Sequence, residues 1–152
     1  MCHVGVAYVL CGFSKGLIAD LDGLVPAASV LVVEDEYVAG MRDVHRRVKE
    51  HPCVAAVVHA PVQDERDPAR VVRAVPRPGQ VRAVVPATEY GVLAAAALAA
   101  AWGLPGAGVP AAAILRDKAA LRAHADRAGL PQPRWRPAGS VEDVIAFRAG
   151  HG

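Results

Sequence analysis

Four apolar runs set the limits on what this chain can fold into. They are His3–Leu10, Ser29–Glu34 (SVLVVE), Val54–His59 (VAAVVH) and Val81–Pro86 (VRAVVP), and stretches of helical periodicity lie between them. The first run is continuously apolar with a Gly-bounded stop, which suits a strand buried on both faces, as in parallel sheets. Parallel neighbours cannot be joined by a hairpin; each needs a crossover, and crossovers are right-handed. The alternation predicts an α/β fold: a Rossmann-like parallel sheet of about four strands with helices on both faces, followed by a helical linker. Ligands of such sheets bind at the carboxyl ends of the strands. Those ends fall at Cys11–Gly16, Glu34–Tyr37, His59–Pro61 and Ala87–Gly91.

The intervening helices follow from spacing and caps. Gly16–Leu24 places Leu17, Leu21 and Leu24 on one face, and Val38–Glu50 does the same for Val38, Met41, Val44 and Val48. Asp67 reads as a cap with Pro68 at the first helical position of a helix reaching Val75. Thr88 can cap a helix from Tyr90 to Trp102 with Glu89 in its first turn, and the small-sided block Ala94–Ala101 suits close packing on a sheet. After Gly103-Leu104-Pro105-Gly106 the alternation stops. A helix over Arg116–Ala128 closed by Gly129, an extended Pro131–Trp135 and a helix over Ser140–Arg148 with a Ser-x-x-Asp capping box complete the chain. The expected division is a sheet domain over 1–106 and linker helices over 107–152.

The net charge of +2 and the lack of any basic run argue against a nucleic-acid partner. The apolar start has no preceding Lys or Arg and no small-x-small site after it, and is too short to span a bilayer. It reads as a first buried strand, with no membrane role and a cytoplasmic setting. Cys2, Cys11 and Cys53 match no disulfide or zinc framework and read as buried or incidental thiols.

Single motifs are weak. Gly12-Phe13-Ser14-Lys15-Gly16 offers backbone amides to a phosphate or substrate, or is a plain strand-to-helix turn. Val32-Val33-Glu34-Asp35-Glu36 has the look of an acidic receiver-domain pocket, but the third strand ends in Val58-His59-Ala60-Pro61 without the acid that pocket needs; a solvated acidic strand end is the better reading. The six histidines show no ligand spacing, so no metal site is expected, and His59 alone sits at a strand end facing the crevice. No nucleophile elbow is present, so no catalytic residue is assigned.

An ordered set is more specific. Ala87-Thr88-Glu89-Tyr90-Gly91-Val92, an Ala-rich helix, Gly103-Leu104-Pro105-Gly106, Arg116-Asp117-Lys118, Ala128-Gly129-Leu130-Pro131 and Pro133-Arg134 follow one another. This resembles the amino-terminal, pre-ATP-grasp part of ATP-grasp carboxylate–amine ligases, and looks most similar to those that join amino acids into dipeptides. The resemblance covers Val81–Arg148; residues 1–80 match in strand–helix order and in the Gly-rich first turn. It implies ATP and magnesium as cofactors of the full-length family and an amino acid or other carboxylate as substrate, activated as an acyl phosphate that an amine displaces. By the same resemblance Lys118 would reach the nucleotide phosphates, Glu89 would face the ligand crevice, and Gly12, Ser14 and Lys15 would lie beside the acceptor substrate.

In the family the final helix leads into a Pro-Val-Val-Val-Lys-Pro strand carrying a second ATP lysine, then into the nucleotide-clasping and magnesium-binding parts. None of these occurs within the 152 residues. The expectation is a front domain plus linker, inactive alone and not a tight binder of nucleotide, with apolar surface that makes it a homo-oligomer. The alternative is a stand-alone Rossmann-like ligand-binding or subunit-interaction module.

Overall fold

The computed structural model describes residues 5–150. The expectations attached to Cys2, to His3 as a strand start and to His151 lie outside them. Strands β1 (Tyr8–Cys11), β2 (Val30–Glu34), β3 (Val54–His59) and β4 (Ala83–Pro86) form one parallel sheet in the order β3-β2-β1-β4. The α/β, Rossmann-like architecture is therefore present.

Side-chain alternation assigns the two faces. Val9, Cys11, Leu31 and Val33 point to one face, covered by α4 (Ala69–Ala74) and α5 (Val92–Ala101) through Val71, Ala94, Ala95 and Leu98. Leu10, Val30 and Val32 point to the other, covered by α1 (Lys15–Leu21), α2 (Glu36–Met41) and α3 (Val44–Arg47) through Ile18, Ala39 and Val44. The change of face has a cause. The chain builds outward from β1 to β2 to β3, then returns across the sheet to place β4 on the other side of β1. Crossovers of one hand in opposite directions put their helices on opposite faces. The Ala-rich block of α5 is buried from Leu93 to Ala99, as its small side chains allow. Its end, and that of α7 (Lys118–Arg127), closes with a glycine at positive φ, Gly103 and Gly129, donating back into the last turn.

The chain divides into two compact units between Ala112 and Ala113, and α6 (Val109–Arg116) runs across the division. In the second unit Asp117 caps α7, accepting from Ala119 N and Ala120 N. The extended segment after it is pinned to α7: Trp135 Nε1 donates to Asp126 (2.8 Å) and Gln132 Nε2 to the Arg122 carbonyl (2.9 Å). Helix α8 (Val141–Ala149) carries the expected Ser140/Asp143 capping box.

Several expectations fail for identifiable reasons. The helix over Val38–Glu50 is broken: Asp43 takes φ 50°, α2 ends before it, α3 and a 3-10 turn follow, and Met41 is left 67 % exposed. Helix α1 ends at Leu21 because Asp22 turns away to other partners, which leaves Leu24 77 % exposed. Asp67 does not cap α4; Pro68 occupies that place, Asp67 pairs with Arg73, and Asp64 ties down the turn through Arg66 N and Asp67 N. Thr88 makes no side-chain cap, since a 3-10 turn over Glu89–Gly91 precedes α5. Helix α6 lies where the sequence predicts no helix, and it takes Arg116, the expected start of the next helix, as its own last residue, so that α7 begins at Lys118.

The partners of Asp22 form a buried polar knot below the sheet's other end. Asp22 accepts from Cys53 N (3.2 Å) and lies 2.6 Å from Nδ1 of His51, which is itself buried. Hydrogen bonding from Cys53, then from His51, holds the Asp22 carboxyl below the usual carboxylate range. A lowered folded-state pKa contributes stability that is present above the unfolded value and lost as pH falls through the folded one. Below about pH 4 the wild type should therefore lose stability more steeply than Asp22→Asn. Urea midpoints measured across that range check this; parallel acid limbs would show that the contacts do not discriminate the two protonation states.

Candidate functional site

The carboxyl end of the sheet has its switch point between β1 and β4, where the chain leaves in opposite directions and a crevice is expected. The residues there interlock. Gly12 follows β1 at φ 91°, and a Cβ built on it would stand 2.0 Å from Oγ1 of Thr88. Gly91 presses on β1 in the same way: its Cβ would stand 2.1 Å from the Cys11 carbonyl oxygen. Glycine is required at both places by close approach, and at Gly12 by conformation as well. The turn holding Glu89 is thus packed against the loop holding Gly12. The Glu89 side chain is exposed.

Beneath the loop lies Glu34, at the end of β2 and fully buried. Its Oε2 accepts from Phe13 N (2.7 Å) and from the Tyr90 hydroxyl (2.7 Å), and its Oε1 accepts from Asp35 N (2.8 Å). Three donors thus converge on its two oxygens. Strand β1 lies between β2 and β4 in the sheet, so the Tyr90 ring must cross the end of β1 to reach Glu34, about two strand spacings. Arg42 completes the frame, donating to the Phe13 carbonyl (2.9 Å) with its guanidinium 5.2 Å from the Phe13 ring centroid. Burial first, then the hydrogen bond to Glu34, raises the Tyr90 phenol above its ordinary range.

The solvated acidic strand end is therefore wrong for Glu34. A central strand has no solvent face, so any residue still paired in β2 is buried, and the acid survives only because three donors meet it. Asp35 instead caps α2, accepting from Tyr37 N. Glu34, Tyr90 and Arg42 were missed as a set. The available signal was an acid ending a run of four buried aliphatic residues.

The proposed loop contacts are largely spoken for. Gly12 N donates to the Val33 carbonyl, Phe13 N to Glu34, and Ser14 caps α1 by accepting from Leu17 N. A buried carboxylate under the loop also opposes an anion, so the plain-turn reading of Gly12–Gly16 fits better than a phosphate cradle. Lys15 is exposed at the first position of α1. Lys118 lies in the second unit, exposed at the start of α7, where Asp117 already occupies the helix amides a phosphate would use. These surroundings do not fit a complete nucleotide site. Among the described residues no group of three or more His, Cys, Asp or Glu is placed to hold a metal ion such as magnesium.

Neither described thiol is a nucleophile. Burial, then the charge of Glu34, pushes Cys11 up to about 12, and burial with the Asp22 hydrogen bond pushes Cys53 up to about 12. No helix among the described residues is long and apolar enough to cross a membrane. Comparison with models of known protein families finds none that matches the chain, and comparison with curated proteins finds no match either.

Proposed function

We propose that this chain is the amino-terminal domain of a cytoplasmic, ATP-dependent carboxylate–amine ligase of the dipeptide-forming kind, acting through an acyl phosphate. The observation that supports this reading is the ordered set from Ala87-Thr88-Glu89 through Arg116-Asp117-Lys118 to Ala128-Gly129-Leu130-Pro131. Its first member falls at the switch point of a parallel sheet, as a ligand-facing turn in such a domain would. In this reading Lys118 supplies a point charge to the nucleotide phosphates, Glu89 faces the ligand crevice, and Gly12, Ser14 and Lys15 border the acceptor amino acid. ATP with magnesium would supply the phosphoryl group, held mainly by parts of the family fold that have no counterpart in these residues.

Two measurements test it. The coding sequence downstream of Gly152 should continue in frame into a strand of Pro-Val-Val-Val-Lys-Pro type; any other continuation, or a stop, removes the ligase reading. The 152 residues by themselves should show no ATP turnover with pooled amino acids, and robust turnover would defeat the assignment of an inactive front domain.

One observation favours a second reading, a subunit-interaction module. Along α8, Val141 (69 % exposed), Val144 (58 %) and Ile145 (62 %) share one face at helical spacing. Bare apolar surface of this kind drives association. Sedimentation should show a dimer or larger species that Val144→Glu/Ile145→Glu shifts toward monomer. A wild type that stays monomeric at high concentration would count against a homo-oligomer.

A further inference from the structure

On the same edge of the sheet, one strand beyond Glu34, two imidazoles meet. His59 ends β3 and His45 lies in α3, and their Nε2 atoms are 2.9 Å apart with the rings edge to face at 64°. Both side chains are exposed. We propose that His45 and His59 form a two-imidazole site for a borderline divalent transition-metal ion of the zinc–copper class. The inference stands on this geometry and is independent of the ligase reading.

The spacing suits a metal. Two metal–nitrogen bonds of about 2.0–2.1 Å put their nitrogens about 2.9 Å apart at a right angle and about 3.3 Å apart in a tetrahedron. The observed pair needs little or no opening for either. The donors suit it as well: neutral imidazoles, with no thiolate or carboxylate between them, favour zinc, copper and nickel over magnesium or calcium. The backbone that carries each ring is anchored. His45 follows the fully buried Val44, and His59 precedes the buried Ala60, whose N–H donates to the Glu34 carbonyl. The local charge is tolerable. Arg46, the neighbouring cation, is paired with Asp43 and with Glu50. Without metal, the contact requires one ring to carry its proton on Nε2 and the other to present a bare Nε2. A metal ion replaces that single hydrogen bond with two bonds and links α3 to the end of β3. Its remaining positions open to solvent.

Titration of the full chain with zinc ions, followed by imidazole nitrogen resonances, tests this and separates the site from the other histidines. The Nε2 signals of His45 and His59 should move together and saturate at one ion per chain, well before the exposed His124 responds. His59→Gln should weaken the response of His45 by at least about tenfold, and His45→Gln should do the same to His59, with denaturation midpoints unchanged. If the two rings respond no more strongly than His124, or independently of each other, the proposal is overturned.

Discussion

Replacing Gly12 by alanine should be among the most damaging single changes in the sheet unit, costing about 2–5 kcal/mol. Two effects add. Gly12 sits at φ 91°, which costs a residue with a side chain about 1–2 kcal/mol. Its Cβ would also stand 2.0 Å from Oγ1 and 2.8 Å from Cγ2 of Thr88, an overpacking worth about 1–3 kcal/mol. The two can be separated, because the steric effect needs Thr88 and the conformational one does not. Thr88→Ala removes the two nearest atoms, so in a double-mutant cycle it should return about 0.5–3 kcal/mol of the Gly12→Ala loss. Denaturant midpoints of the four proteins give the coupling directly. A Gly12→Ala loss below about 1 kcal/mol would mean that the loop and the post-β4 turn can separate, contrary to the interlocked crevice.

Glu34→Ala should cost about 3–5 kcal/mol, because it strands three buried or half-buried donors at once: Phe13 N, Asp35 N and the Tyr90 hydroxyl. Glu34→Gln keeps the shape but turns an NH2 toward at least one of those donors, so it should fall between alanine and wild type. Tyr90→Phe removes only one donor and should cost about 0.5–1.5 kcal/mol. If Glu34→Ala is too unstable to purify, hydrogen exchange at Phe13 N in Glu34→Gln gives the same information, since that amide should lose its protection. The phenol adds a pH signature. Its folded-state pKa is raised above the ordinary value of 10.0, so its contribution is present below that pH and fades as pH rises toward the folded value. Wild type should therefore lose stability in that alkaline range more steeply than Tyr90→Phe. Equal slopes would separate Tyr90 from the Glu34 cluster.

Much of this was legible in the sequence because it depends on local chemistry. Four apolar runs specify four strands, of which the central β1 and β2 are buried while the edge strands β3 and β4 stay partly exposed, and strand–helix alternation with right-handed crossovers specifies a parallel sheet covered on both faces. Val54–His59 appears as a strand with the bounds its residues suggest, and Ser140/Asp143 form the capping box their spacing predicts. Cys11 and Cys53 are buried, as an apolar setting implies.

The tertiary structure decided what depends on residues far apart in the chain. Whether the Val38–Glu50 stretch is one helix turned on Asp43, whose left-handed backbone no periodicity reveals. Glu34 reads as a surface acid by composition and becomes a buried hub once β1 and β4 bring Phe13 and Tyr90 to it, 21 and 56 residues away. His45 and His59 have no ligand spacing, yet α3 and β3 place their rings in contact across 14 residues. Periodicity and caps are fixed within a few residues by sterics and hydrogen bonding. A site assembled at the switch point of a sheet is fixed by strand order, and strand order is settled only when the whole core packs.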